Sequence, residues 1–290
     1  MADGDAHPDP ALGVFDTLLV RDGVPVDLEV HLERLARSVQ ELYGVPVDVA
    51  ALAQRLVADV GGLARARVRT SYDPGAGQWE IDAARIDDPG HDPRTLTLRR
   101  VAGGLGPHKW IDRRPVADPG DADDVLLVDE HDQLLECGSA NVFVVLAGRV
   151  VTPPLDGRIL PGTVRARVLA ALRSDGHPVA ERAVSVAEVA EATEMFTTSS
   201  IRGVQPVAAC LCQARGKPWK TFGQRLPRPQ ELPLNHLCGH DLRIGTTASL
   251  NNRGDVRADG GSLPPGGNGR DQGPARMSSG AASHFVAKPR

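Results

Sequence analysis

Lysine is the scarcest useful nucleophile in this chain. Four occur, at positions 109, 217, 220 and 288, among 33 basic residues. Arginine replaces lysine for solubility or ion pairing, but its guanidinium is never usefully deprotonated and cannot attack a carbonyl. The lone lysine of the first 216 residues follows the glycine-rich turn Gly104-Leu105-Gly106-Pro107-His108. Lys109 is therefore a candidate nucleophile for carbonyl–amine chemistry; an ordinary surface lysine is the alternative. Aromatic residues make up only 3% of the chain, so the core must be built from Val, Leu and Ala. Four cysteines in 290 residues do not make a disulfide framework, and a reducing cytoplasm is expected. No apolar run approaches a membrane span. The first residues are acidic and lack an apolar centre, so no secretory signal is expected. A net charge of −4 gives no reason to expect nucleic acid or an anionic membrane as a partner.

What is present reads as alternating strands and helices. Leu12–Val20 is a strand, and Asp22-Gly23 turns it into a hairpin with Val24-Pro25-Val26. Asp27 is expected to cap a helix that Gly44 ends. Leu28, Leu32, Leu35, Val39 and Leu42 form its buried stripe, with His31, Arg34 and Ser38 on the flank. Arg34 is thereby placed at the edge of a core, where it can meet an anion; an exposed arginine laying its stem over apolar surface is the other reading. A second helix follows Asp48. Strands are expected over 66–72, 78–84 and 95–101, which makes the first hundred residues an α+β unit. Further on, strands fall at 125–128, 141–146, 150–152, 179–184 and 195–198, with helices at 163–174 and 186–191. Beyond about Ala209 periodicity fades into Gly, Pro, Arg, Asn and Ser, a composition that cannot offset its ordering entropy.

Three features accompany Lys109. Leu160-Pro161-Gly162-Thr163 opens a helix whose free N–H groups and dipole suit an anion. Thr198-Ser199-Ser200 is a run of hydroxyls at a strand end. Glu136 sits between an apolar segment and small residues, and a carboxylate there needs a positive partner such as a pyridinium N–H. Each alone reads equally as an ordinary turn. In the tail, Cys210-x-Cys212 and His236-x-Cys238-x-His240 carry zinc-ligand types, but the spacing fits no finger pattern and no metal is expected.

Taken together, Gly13-Val14-Phe15-Asp16-Thr17-Leu18, His31-Leu32-Glu33-Arg34-Leu35, Leu135–Phe143, Ile159–Arg165 and Glu194–Ser200 resemble the class IV aminotransferases, the fold type IV pyridoxal-phosphate enzymes. The resemblance implies a small α/β N-terminal domain at 12–106, after a leader at 1–11. A larger, β-rich cofactor-binding domain at 107–210 and a mostly disordered tail at 211–290 complete the two-domain α+β fold, with the cofactor between the domains. It implies pyridoxal 5′-phosphate as cofactor, a small-molecule amino substrate and a homodimer. Residue by residue, Lys109 matches the Schiff-base lysine and Glu136 the carboxylate on the pyridine nitrogen. Arg34, Thr163, Val164 and Ser200 match the phosphate contacts, and Phe15 and Arg114 fall on the substrate side. The wording around Glu136 and Lys109 is nearer to the aminodeoxychorismate lyase members than to branched-chain or D-amino-acid aminotransferases. The family's closing strand–helix unit is not recognisable after Val207, apart from Gly216-Lys217-Pro218-Trp219, which leaves an inactive or truncated member as a further reading.

Overall fold

The computed structural model describes residues 7–211 and 218–222. Strand β1 (Val14–Arg21) and strand β2 (Val24–Pro25) form the expected hairpin. Asp22 and Gly23 both take positive φ, 51° and 78°, the twist that a two-residue hairpin needs. Helix α1 (Leu28–Tyr43) and helix α2 (Val49–Asp59) follow. Strands β3 (Arg65–Asp73) and β4 (Gln78–Arg85) complete an antiparallel sheet in the order β2-β1-β3-β4. Because strand side chains alternate, one face of this sheet carries Leu18, Val20, Ala66 and Val68. It packs on Leu32 of α1 and on Leu52 and Leu56 of α2. Asp16 belongs to the same face, so its carboxylate is driven against α1. Phe15 and Thr17 of β1 and Arg69 of β3 belong to the other.

Asp48 caps α2 as expected, accepting from the Ala51 N–H at 2.9 Å. Asp27 does not cap α1. It takes a left-handed conformation with no capping hydrogen bond, and its carboxylate instead accepts from Arg167 Nη1 at 2.6 Å. The long-range ion pair outcompetes the local cap.

Nine strands make the second sheet. They are β5 (Arg94–Arg100), β6 (Asp124–Val128), β7 (Leu134–Cys137), β8 (Asn141–Leu146), β9 (Arg149–Thr152), β10 (Val179–Glu181), β11 (Glu194–Ser199), β12 (Gly203–Leu211) and β13 (Pro218–Thr221). Their order is β10-β9-β8-β11-β12-β5-β6-β7, with β13 paired to β12. One side of the sheet buries Leu96, Leu126, Val144, Met195 and Val207. The other stacks Phe143 on Phe196, ring centroids 4.8 Å apart, beneath Val168, Leu169 and Leu172 of helix α3 (Thr163–Ser174). Burial on both faces explains the unbroken apolar run at 125–128. Helix α4 (Val186–Glu191) opens with a capping box between Ser185 and Glu188.

Four expectations change. The strand at Arg94–Arg100, grouped above with the first hundred residues, lies in the nine-stranded sheet, parallel to both β6 and β12. The segment 203–211 is a nine-residue strand between β11 and β5. Its Gln205 and Pro206 break the apolar alternation that would have marked it, yet its backbone pairs on both sides. The tail is not featureless from 211 onward, because Pro218–Thr221 adds β13 antiparallel to β12. The expected strand at 179–184 shortens to three residues. Of the cysteine and histidine positions in the tail, Cys210 is buried against Met195; Cys212, His236, Cys238 and His240 lie outside the described residues, as does the rest of the tail. Among the described residues, no helix is long and apolar enough to cross a membrane.

Replacing Leu126, fully buried in the nine-stranded sheet, with Ala is expected to lower unfolding stability by about 2–5 kcal/mol. Leu155→Ala, at a half-exposed position, should change it by about 0.5 kcal/mol or less. Urea titration of the two variants checks the contrast.

Candidate active site

Lys109 is positioned by backbone pairing with the start of β1. The Phe15 N–H donates to Lys109 O at 2.8 Å and the Ile111 N–H donates to Gly13 O at 3.1 Å, while Val14 and Trp110 form a β-bridge. The preceding turn is held close to a neighbour. Gly104 has φ 76°, and a Cβ there would stand 2.4 Å from Arg158 O, so only glycine fits. The pairing sets Lys109 Nζ 5.1 Å from the centroid of the Phe15 ring.

Lys109 opens onto a cavity of about 420 Å³. Phe15, Arg34, Glu136, Thr163, Val164 and Ser200, all singled out from the sequence, share its wall. Glu136 comes from β7, whose four residues are all buried. Its carboxylate accepts from the Leu160 N–H at 3.2 Å and from Asn141 Nδ2 at 3.4 Å. No cation lies within ion-pair distance of it among the described residues. Burial pushes Glu136 up to about 7, opposed by the Leu160 N–H and by the charges of Lys109, Arg113 and Arg34. Burial also pushes the Lys109 amine down to about 8; Asp16 and Glu136 oppose this, while Arg34 and Arg113 add to it.

In the wall of the same cavity, α3 begins after Gly162 with no side-chain cap. The helix enters where a side chain could not pass, since a Cβ on Gly162 would stand 1.9 Å from Asn141 Oδ1. Its first-turn N–H groups are therefore available to an anion. Thr163 Oγ1 lies 3.3 Å from Ser200 Oγ. Thr198 Oγ1, also at the wall, is buried with no hydrogen-bond partner among the described residues.

Arg34 is more deeply buried than its flank position suggested, at 8% exposure. Its Nε and Nη2 donate to the two oxygens of Asp16, both at 2.8 Å, and Nη1 donates to Pro161 O at 2.9 Å. His31 Nδ1 lies 2.8 Å from Asp16 Oδ1. Sequence reasoning passed over Asp16, although an acidic residue inside the apolar strand Val14–Val20 was a visible signal of a buried partner.

Arg114 is a correction. It does not line the cavity; its exposed guanidinium is clamped onto the buried carboxylate of Asp112, with Nε donating at 2.9 Å. Arg113, one residue earlier, is at the cavity wall instead, and its Nη2 donates to Gly138 O. Counting residues from Lys109 could not settle this phase. It is set by Asp112, which also accepts from the Asp9 N–H and turns Arg114 outward.

Two sheets, a lysine with a depressed pKa, an ion-pair-free carboxylate and an anion cup surround one cavity, and the chain is similar to the class IV aminotransferase family. Residues 116–210 match the family model described as amino-transferase class IV. Pyridoxal 5′-phosphate is the cofactor of that family. The probable branched-chain-amino-acid aminotransferase of Thermotoga maritima is 29% identical over 210 residues, covering 67% of this chain and 76% of that protein. Branched-chain-amino-acid transaminase 1 of Bacillus subtilis is 42% identical over 125 residues, but these span only 38% of this chain and 35% of that one. Among solved structures, the 4-amino-4-deoxychorismate lyase of Pseudomonas aeruginosa superposes with a TM-score of 0.61 at 27% identity, over 77% of this chain and 92% of that chain. The residues here fit the cofactor. Glu136 lacks the cation that a protonated ring nitrogen would bring, and Thr198 and the uncapped α3 terminus lack the acceptors that a phosphate would bring.

The raised Glu136 gives a pH test of the cofactor-free protein. Between about pH 4.5 and 7 the folded state binds more protons at this carboxyl than the unfolded chain does, so its contribution to stability falls as pH rises. Glu136→Gln removes that loss, which is at most about 3 kcal/mol. The variant should gain more in Tm over the parent at pH 8 than at pH 5, read by differential scanning calorimetry.

Proposed function

We propose that this protein is a pyridoxal-phosphate enzyme acting on a small amino substrate, and that its reaction is that of 4-amino-4-deoxychorismate lyase, forming 4-aminobenzoate and pyruvate. The observation that carries the reading is Lys109 Nζ opening onto the same cavity as a buried carboxylate without a counter-ion and an uncapped helix terminus. We place the enzyme in the cytoplasm as a homodimer. Bound pyridoxal phosphate supplies a carbonyl for the substrate amine and an electron sink beyond it.

The chain's own groups divide the remaining work. Glu136 holds the proton on the ring nitrogen. The α3 N-terminus at Thr163 and Val164, with Ser200 and the remaining donors of Arg34, holds the phosphate; valine at 164 offers its N–H alone. Lys109, with its amine lowered to about 8, is neutral in about one molecule in ten at pH 7. It can therefore act as nucleophile and then carry a proton at the carbon next to the substrate nitrogen. Phe15 walls the substrate side.

The lyase reading is supported by the wording Glu136-Cys137-Gly138-Ser139-Ala140-Asn141, by the likeness to the Pseudomonas lyase and by Arg113 at the wall. A second reading, amino transfer from a branched-chain donor, is favoured by the Thermotoga relative.

Purified protein incubated with pyridoxal phosphate should absorb in the visible, and borohydride should fix the cofactor to Lys109. Lys109→Ala should lose the fixed adduct and all turnover. A wild-type protein that stays colourless would sink the enzyme reading. Release of 4-aminobenzoate from aminodeoxychorismate, against amino transfer from Glu, Ile or D-Ala to a keto acid, decides between the two reactions.

A further inference from the structure

Lys109 is delivered by a turn that is loose by composition. Gly103, Gly104 and Gly106 all take positive φ, and glycine sets few conformational limits of its own. The Gly106 N–H donates to Arg158 O at 3.2 Å, and Trp110 Nε1 donates to Leu105 O at 2.7 Å. The extended piece that follows pairs with β1 through a single bridge, Val14 to Trp110. So short a pairing specifies its register weakly, and a slip by one residue would turn Lys109 away from Phe15 and toward α1.

His108 makes a contact that only one register allows. Side chains alternate along an extended segment. Trp110 packs with Leu35 and Val39 of α1, and His108 meets the same helix, its Nδ1 3.1 Å from Ser38 Oγ. Lys109, between them, faces the Phe15 ring. The two flanking rings pack edge to face, with centroids 5.4 Å apart and planes at 80°. Ser38 is buried, and its hydroxyl donates to Arg34 O at 3.1 Å. With that hydrogen committed, the oxygen offers His108 a lone pair, so Nδ1 carries the proton. His108 Nε2 lies 3.9 Å from Glu41 Oε2. Protonating Nε2 leaves the Nδ1–H in place, so the contact survives both charge states of the ring. Ser38 lies one helical turn beyond Arg34, so α1 orients both the arginine and the lysine of the cavity.

We propose that His108 is a positioning residue for Lys109: its Nδ1–H, bound to Ser38 Oγ, sets the register that turns the lysine amine into the cavity. This deepens the reading of Lys109 as the reactive amine and rests on it.

Asparagine places an amide N–H where His108 has Nδ1, whereas glutamine places it where His108 has Nε2. The full-length protein is compared with His108→Asn, His108→Gln, His108→Leu and Ser38→Ala. The first readout is the rate at which borohydride fixes pyridoxal phosphate to Lys109, followed by peptide mass spectrometry. His108→Leu, His108→Gln and Ser38→Ala should each slow it about tenfold. His108→Asn should stay within about threefold of wild type. Joining Ser38→Ala to His108→Leu should slow it no further, because both remove the same contact. The second readout uses no cofactor. Lysines are reductively methylated with 13C-formaldehyde, Lys109 is assigned by its loss in Lys109→Ala, and its titration is followed by NMR. In wild type the amine should titrate at about 8, where burial holds it among Asp16, Arg34, Arg113 and Glu136. In His108→Leu and His108→Gln it should move up toward the ordinary lysine value, and in His108→Asn it should stay. Attachment by His108→Leu within about twofold of wild type, or His108→Gln performing as well as His108→Asn, would overturn the tether. The two amide variants keep the test decisive if His108→Leu fails to fold. A wild-type protein that never fixes the cofactor sinks the pyridoxal-phosphate reading, while the cofactor-free titration still decides the role of His108.

Discussion

The carboxylate of Asp16 is the group on which the site's architecture depends. It is almost fully buried, and burying a lone charge would cost several kcal/mol. Four donors offset that cost: the Thr17 N–H, His31 Nδ1, and Nε and Nη2 of Arg34. Arg34 holds Asp16 well below the usual carboxylate range. The same guanidinium donates its Nη1 to Pro161 O, just before α3. One buried ion pair thus joins β1 and α1 of the smaller sheet to the turn that delivers Gly162 and Thr163. The alternation of β1 does the rest, since turning Asp16 toward α1 turns Phe15 and Thr17 toward the cavity.

The cavity is electrostatically uneven. Burial pushes Lys109 and Glu136 each toward its neutral form, down to about 8 and up to about 7. Such values suit groups that must hold or release a proton near neutral pH. Arg34 and Arg94 carry charges already balanced by aspartates and act as fixed structure. Arg113 lines the same cavity and donates to the Gly138 carbonyl. The uncapped α3 terminus leaves N–H donors open at the cavity. Donors fixed in place before a ligand arrives need no reorganisation when it does.

The stretch matched to the family model, 116–210, contains Glu136, Thr163, Val164 and Ser200. Lys109, Arg34 and Phe15 lie ahead of it. The wall of the cavity is thus built partly from the shared segment and partly from residues outside it.

Much was legible without coordinates. The helix at 163–174, the strand at 141–146 and the short helix at 186–191 fall where periodicity and turn residues put them, because each is fixed by local pattern. Lys109 stood out by rarity, and Glu136 by its place between an apolar run and small residues. What sequence alone could not decide was anything that depends on a distant partner. Asp27 abandons its cap for Arg167. β12 forms despite Pro206 because β5 and β11 flank it. Arg113 rather than Arg114 reaches the cavity because Asp112 clamps its neighbour. Local spacing determines which elements form and which residues share a face; only tertiary contacts decide which of two adjacent charges is paired and which is left facing the site.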